Sequence, residues 1–130
     1  MKSLLLSIKP EYVERILQGT KRYEYRKRLA QEPVEAIYIY STTPVMKVVG
    51  IVKVLGRLEM SPSALWEKTK AQAGISRAKY REYFRNCKKA YAYQLGDVLI
   101  FDTPRELSDF GISTAPQSFV YINCNDTKSI

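Results

Sequence analysis

The sequence contains no histidine. It therefore lacks the side chain that most often moves protons near neutral pH and the commonest nitrogen ligand for metals. Cysteine is nearly absent as well: Cys87 and Cys124 stand far apart with no CxxC pattern. This argues against a zinc site and a disulfide framework, and reduced, structural thiols are expected. Long apolar runs are also missing. The opening Met1-Lys2-Ser3-Leu4-Leu5-Leu6-Ser7-Ile8-Lys9 is too short in apolar character for a signal peptide or a spanning helix. A cytoplasmic location, no membrane partner, no metal and no cofactor are therefore expected. There is no internal repeat and no low-complexity segment. Acidic residues are scarce, 13 against 21 basic ones, giving a formal charge of +8. An excess of this size in a small domain attracts polyanions at long range.

What is present is a chain of 130 residues, the length of one domain with a core of its own. Ten tyrosines stand against four phenylalanines. Tyrosine has a flat apolar face and a polar tip, so it suits both a core and a wet binding surface. Residues 3 to 9 read as a strand, and Lys9-Pro10 changes the period to that of a helix closed by Gly19. From Arg22 to Arg28 the pattern alternates again, with Tyr23 and Tyr25 on one face and Glu24, Arg26 and Arg28 on the other. Val34 to Thr42 is a strong strand in which Ile37 and Ile39 oppose Tyr38 and Tyr40, and Thr43-Pro44 breaks it.

Lys47 to Glu59 is β-rich, with Gly50 and Gly56 at places that mark bulges or bends. Ser61-Pro62 starts a helix that turns Leu65 and Trp66 inward and stops at Gly74; Ser76 caps another with Tyr80, Tyr83, Phe84 and Cys87 on its apolar face. Lys89 to Leu95 and Val98 to Phe101 read as two strands, Pro104 to Pro116 as a long connection, and Ser118 to Ile122 as a last short strand. Residues 1–123 form the expected domain and 124–130 a loose tail. Strands outnumber helices and one helical hairpin interrupts them. That order predicts an α+β fold: a small mixed or antiparallel β-barrel with peripheral helices.

The segment Ser7-Ile8-Lys9-Pro10 followed by Ile16-Leu17-Gln18-Gly19-Thr20-Lys21-Arg22-Tyr23-Glu24-Tyr25-Arg26 resembles the opening of ASCH domains, which carry G-x-K-x-x-E-x-R after their first helix. The likeness continues through Ile37 to Pro44, the helical insertion and Ala115 to Phe119, so it covers nearly the whole chain. The resemblance implies a PUA-like barrel and an RNA-related role: RNA or nucleotide binding, including a regulatory part in RNA metabolism or translation. Some ASCH relatives are enzymes, either amidohydrolases of N4-acetylcytidine or ribonucleases. The alternative is therefore a metal-independent enzyme on RNA or a modified nucleoside, with Lys21 and Glu24 as its catalytic candidates.

Physical reading of the same residues gives the candidate ligand site. Lys9, Lys21 and Arg26 can hold phosphate, lysine as a point charge and arginine through paired hydrogen bonds. Lys21 and Glu24 share a site only if Lys21 belongs to the turn before the strand. Glu24, surrounded by cations, either accepts from an exocyclic base amine such as cytosine N4 or serves as a structural partner of Arg26. Tyr40, Ser41 and Thr42 end a strand with hydroxyls that either contact phosphate or base edges or satisfy a turn. Gln117 and Ser118 either read a base edge or tie loops together. Arg77, Arg81, Arg85 and Lys88 recur at spacings of four, four and three, one basic helical stripe that either follows an RNA backbone or is simply solvated. Arg22 and Arg28 read as solvated charges.

The amidohydrolase branch uses a lysine, a threonine and a glutamate. Lys21 matches the lysine, Glu24 stands in the threonine position, and the glutamate position falls in Ala71-Gln72-Ala73, with Glu67 the nearest acid. Glu24 beside Lys21 is expected to raise the lysine pKa, the wrong direction for a nucleophile or base. Binding is therefore expected over catalysis.

Overall fold

The computed structural model describes residues 1–123; the expected tail 124–130, with Cys124, lies outside the described residues. The elements run β1 (Lys2–Ile8), α1 (Pro10–Gln18), β2 (Tyr23–Arg26), β3 (Val34–Ser41), β4 (Lys47–Met60), α2 (Pro62–Thr69), a 3-10 turn (Lys70–Gln72), α3 (Arg77–Tyr83), β5 (Ala90–Arg105), a 3-10 turn (Leu107–Phe110) and β6 (Phe119–Ile122). The strands form one six-stranded sheet in the order β2-β5-β4-β3-β1-β6. β1 pairs with β3 in parallel and every other pairing is antiparallel, so the sheet is mixed as expected.

Alternation in the sequence builds a core on both faces of the central strands. Leu4, Leu6, Ile8, Ile37 and Ile39 pack with Val13 and Ile16 of α1, whereas Leu5, Tyr38 and Tyr40 pack on the other face with Val48, Ile51 and Ile122. A third cluster, Tyr25, Leu65, Ala73, Tyr80, Phe84, Ala90 and Ala92, joins the inserted helices to β2 and β5. Ser61 and Ser76 cap α2 and α3 through their side chains, accepting from the Ala64 and Lys79 N–H groups.

Two differences from the sequence reading have local causes. The two strands foreseen on either side of Gly96 are one strand, because β4 pairs along its whole length and register shifts near Gly50 and Gly56 absorb the irregularity. The second inserted helix stops at Tyr83, and Asn86 takes a left-handed conformation with φ 64°. Only Arg77 and Arg81 therefore lie on α3, and the foreseen stripe does not continue as a helix to Arg85 and Lys88.

The sheet also curls without closing by backbone pairing: its end strands β2 and β6 are not neighbours. β2 is four residues long and, among the described residues, pairs only with β5. Across the open seam, the Arg26 guanidinium donates from Nη2 to the Ser7 carbonyl of β1 at 3.0 Å. One side chain thus bridges β2 to β1 where a ladder would complete a barrel, and a cleft occupies the rest of the seam.

Candidate functional site

The seam pocket has a volume of about 510 Å³. The end of β1 contributes Ser7, Ile8 and Lys9, α1 contributes Glu11 and Tyr12, and the turn into β2 contributes Lys21. β2 supplies Glu24, Tyr25 and Arg26, and the far wall is Ile75 with Lys79, Glu82 and Tyr83 of α3. A depression of about 590 Å³ elsewhere is lined by residues 109–114 and 120–123, and Asp109 is the single charged residue of its lining among the described residues. The described lining offers no cation to an anionic ligand, whereas the seam offers several.

Gly19 makes the local geometry possible. It closes α1 in the left-handed conformation, φ 84°, and the next two amides, Thr20 and Lys21, both donate to the Arg15 carbonyl. Lys21 therefore belongs to the turn and precedes β2. It then shares the pocket with Glu24.

Lys21 is only 3% exposed. Its ammonium donates to the Ala73 carbonyl at 2.8 Å and lies 4.8 Å from the Tyr25 ring centre and 5.2 Å from that of Tyr12. Arg22 N–H donates to the Gln72 carbonyl and Arg15 Nη1 to that of Gly74. Three successive carbonyls of the insertion thus receive donors from α1 and its following turn. Burial lowers the Lys21 pKa to about 8; Glu24 pulls it back up, while Arg15 and Arg26 lower it further. The expectation that Glu24 would leave this lysine with a raised pKa is overturned: desolvation of a nearly sealed ammonium outweighs one carboxylate that is itself bound to an arginine.

Glu24 sits at the centre of the opposing charge. Arg26 contacts it from Nε at 3.0 Å and from Nη2 at 2.9 Å, both on Oε2. Among the described residues no donor bonds Oε1 and no buried side-chain oxygen or nitrogen lacks a partner, so Oε1 opens on the pocket. Glu24 thus performs the structural task foreseen for it and keeps one acceptor free. Tyr25 is fixed beneath Lys21 by a 2.6 Å bond between its hydroxyl and that of Thr69, which donates on to the Leu65 carbonyl. Burial pushes the Tyr25 phenol up to about 12 and also raises those of Tyr12 and Tyr83. All three remain neutral at ordinary pH, so they offer rings and hydroxyls but no phenolate.

The remaining candidates divide by place. Lys9 is exposed at the pocket mouth and has no carboxylate partner among the described residues. Tyr40 lies in the core beside Leu5 and Tyr38, and Ser41 is buried in β3 against Ile8 and Lys47. Thr42 serves a turn: its N–H donates to the Ile8 carbonyl and its own carbonyl accepts from Val45 and Met46. Gln117 and Ser118 are exposed outside the pocket lining, although Ser7 holds them close by donating from N–H to the Ser118 carbonyl and from its hydroxyl to Pro116. The structure thus brings Lys9, Lys21, Glu24 and Arg26 together and leaves Tyr40, Ser41, Thr42, Gln117 and Ser118 outside. The sequence reading missed Tyr12, Lys79 and Tyr83 as wall residues. Their only signal was helical spacing, which does not say what a helix faces.

The lysine environment makes stability depend on pH with a definite sign. Between about 8 and the ordinary lysine value near 10.4, the folded state holds fewer protons at Lys21 than the unfolded chain. Stability contributed at this site therefore rises as pH climbs through that window and is lowest below it, by an amount on the order of 3 kcal/mol. Denaturant melts of wild type and Lys21→Met from pH 7 to 10 check this; an unchanged pH slope in the variant overturns it.

A curled mixed sheet with an inserted helical hairpin and a charged, tyrosine-walled seam defines the class of domain. The chain belongs to the ASCH domain family, whose model matches residues 6–104. The fold is PUA-like. It superimposes on the crystal structure of a tyrosine-to-phenylalanine variant of the ASCH protein from Zymomonas mobilis with a TM-score of 0.87, at 27% identity, covering 99% of this chain and 96% of that one. Among curated proteins it is similar to the ASCH domain-containing ribonuclease of Zymomonas mobilis subsp. mobilis, 33% identical over 97 residues, which is 74% of this chain and 66% of the relative. It also resembles part of the ATP synthase subunit alpha of Ureaplasma parvum serovar 3, 31% identical over 121 residues, covering 92% of this chain but spanning 15% of that protein's length. Among the described residues no helix is long and apolar enough to cross a membrane.

Proposed function

We propose that the domain binds RNA in the seam, taking one nucleotide with its base against Tyr12, Tyr25 or Tyr83 and its phosphate toward Lys9 and Lys21. The observation that carries this reading is the convergence of Lys9, Lys21, Glu24 and Arg26 on one pocket. The net charge of +8 and the ribonuclease similar to this chain support it. Oε1 of Glu24 accepts from an exocyclic amine, so bases that carry one bind better than uracil, by about 1–3 kcal/mol for a well-made contact. Titration of labelled single-stranded and hairpin RNA at rising salt tests the reading. Affinity is expected to fall along a log–log line, since each phosphate contact releases counterions. No affinity for either RNA at low salt overturns it.

A second reading, metal-independent RNA cleavage, is favoured by the Lys21 pKa of about 8, which leaves some free amine near neutrality. The two readings have opposite pH signatures. Binding through the ammonium weakens as pH rises through about 8, whereas cleavage with Lys21 as base accelerates toward the same inflection. End-labelled RNA incubated with chelator, with wild type beside Lys21→Met, decides: RNA still intact after long incubation with wild type removes the cleavage reading.

A further inference from the structure

The other flank of α3 carries a second pocket, of about 310 Å³, that the seam does not use. It is lined by Pro62, Ser63, Trp66 and Glu67 from α2, by Arg77, Tyr80, Arg81 and Phe84 from α3 and its cap, and by Cys87. Leu65 and Trp66 were both expected to face inward; Leu65 is fully buried, and Trp66 packs against the same cluster but stays half-buried, with part of its ring open to this pocket. Its ring leans on Tyr80 with centroids 4.8 Å apart, and Tyr80 is itself fixed by donating to the Pro62 carbonyl at 2.7 Å. The indole N–H has no partner among the described residues and is not sealed from solvent. The pocket therefore holds a braced aromatic surface with a free donor.

Arg77 and Arg81 are one helical turn apart and exposed, and neither has an ion-pair partner among the described residues. Among the described residues Glu67 is the single carboxylate in the lining, and Lys70 already holds it at 2.7 Å. The local charge is positive, beside an aromatic face. On the opposite flank, Lys79, Glu82 and Tyr83 of the same helix wall the seam. α3 is thus a ridge between two pockets, and a strand leaving the seam across it meets the second.

We propose that this pocket is an accessory contact for the same RNA strand: Trp66 stacks on a base flanking the one in the seam, and Arg77 and Arg81 hold the phosphates that cross α3. The inference rests on the RNA-binding reading of the seam. It predicts that affinity depends on length, because a single nucleotide cannot span a helix about 10–12 Å across.

Trp66 is the one tryptophan in the chain, so its emission reports this pocket alone. The experiment compares a nucleoside monophosphate with a single-stranded oligonucleotide of about ten nucleotides, within the usual single-strand site size. It uses wild type, Arg77→Gln/Arg81→Gln and Lys21→Met. The oligonucleotide is expected to quench Trp66 and the monophosphate is not. The double arginine variant should lose about tenfold in affinity for the oligonucleotide and about one to two units of salt slope, with monophosphate binding unchanged. Unaltered Trp66 emission, with full oligonucleotide affinity in the arginine variant but loss in Lys21→Met, overturns the accessory contact and leaves the seam reading standing. Absence of binding to RNA of any length overturns both. Quenching by an acidic peptide but not by RNA also overturns the proposal.

Discussion

Lys21→Met is expected to weaken RNA binding about ten- to a hundredfold at pH 7 while leaving the fold intact. A hydrogen bond to a charged group contributes about 1.5–3 kcal/mol, which sets that range. Methionine has a similar length and fills the space between Tyr12 and Tyr25, so the loss isolates the charge. Stability should not fall at pH 7. The substitution leaves the Ala73 carbonyl without its donor, at about 1 kcal/mol, and at the same time removes the cost of keeping an ammonium 3% exposed. Chemical denaturation beside RNA titration separates the outcomes. A large loss of stability with binding intact in the surviving folded fraction would make Lys21 a structural anchor and defeat its role in the seam.

The second large effect is expected at Gly74, far from β2 in sequence. Gly74 has φ +63°, and a Cβ there would lie 2.3 Å from Cβ and 2.6 Å from Cγ of Lys21. The insertion backbone lies directly on the lysine stem, which is how Ala73 comes within reach of its ammonium. Gly74→Ala must pay the left-handed penalty and also displace Lys21, so a loss of about 2–4 kcal/mol is expected. For a domain of this size that lowers Tm by roughly 10 °C.

Gly19→Ala is the control. Gly19 is left-handed too, at φ +84°, but a Cβ there meets nothing within 4 Å. Its cost should stay near the conformational term alone, about 1–2 kcal/mol. Equal destabilisation in the two variants would remove close approach to Lys21 as the reason for a glycine at 74. RNA affinity should fall in Gly74→Ala and hold in Gly19→Ala, since only the first moves the lysine.

Local patterns in the sequence determined a good deal. Pro10 and Gly19 bound α1, so the turn that presents Lys21 was legible from the chain. Alternation from Tyr23 put Glu24 and Arg26 on one face, and their ion pair follows from that spacing. The G-x-K-x-x-E-x-R segment and the order of strands gave the family and the mixed sheet. These features depend on neighbours a few residues away, and short-range sterics and periodicity govern them.

Tertiary structure decided the rest, because it concerned which distant segments meet. Whether Lys21 is sealed or solvated depends on residues 72–74 and on the rings of Tyr12 and Tyr25, and burial there reversed the pKa direction that Glu24 alone implied. Tyr40 and Ser41 read as strand-end candidates, but β3 is buried on both faces, so they turn into packed structure. The far wall of the seam comes from α3, and no periodicity tells which strand a helix will face. The open seam itself arises because β2 finds a partner on one edge only, leaving Arg26 to reach Ser7 and a cleft beside it.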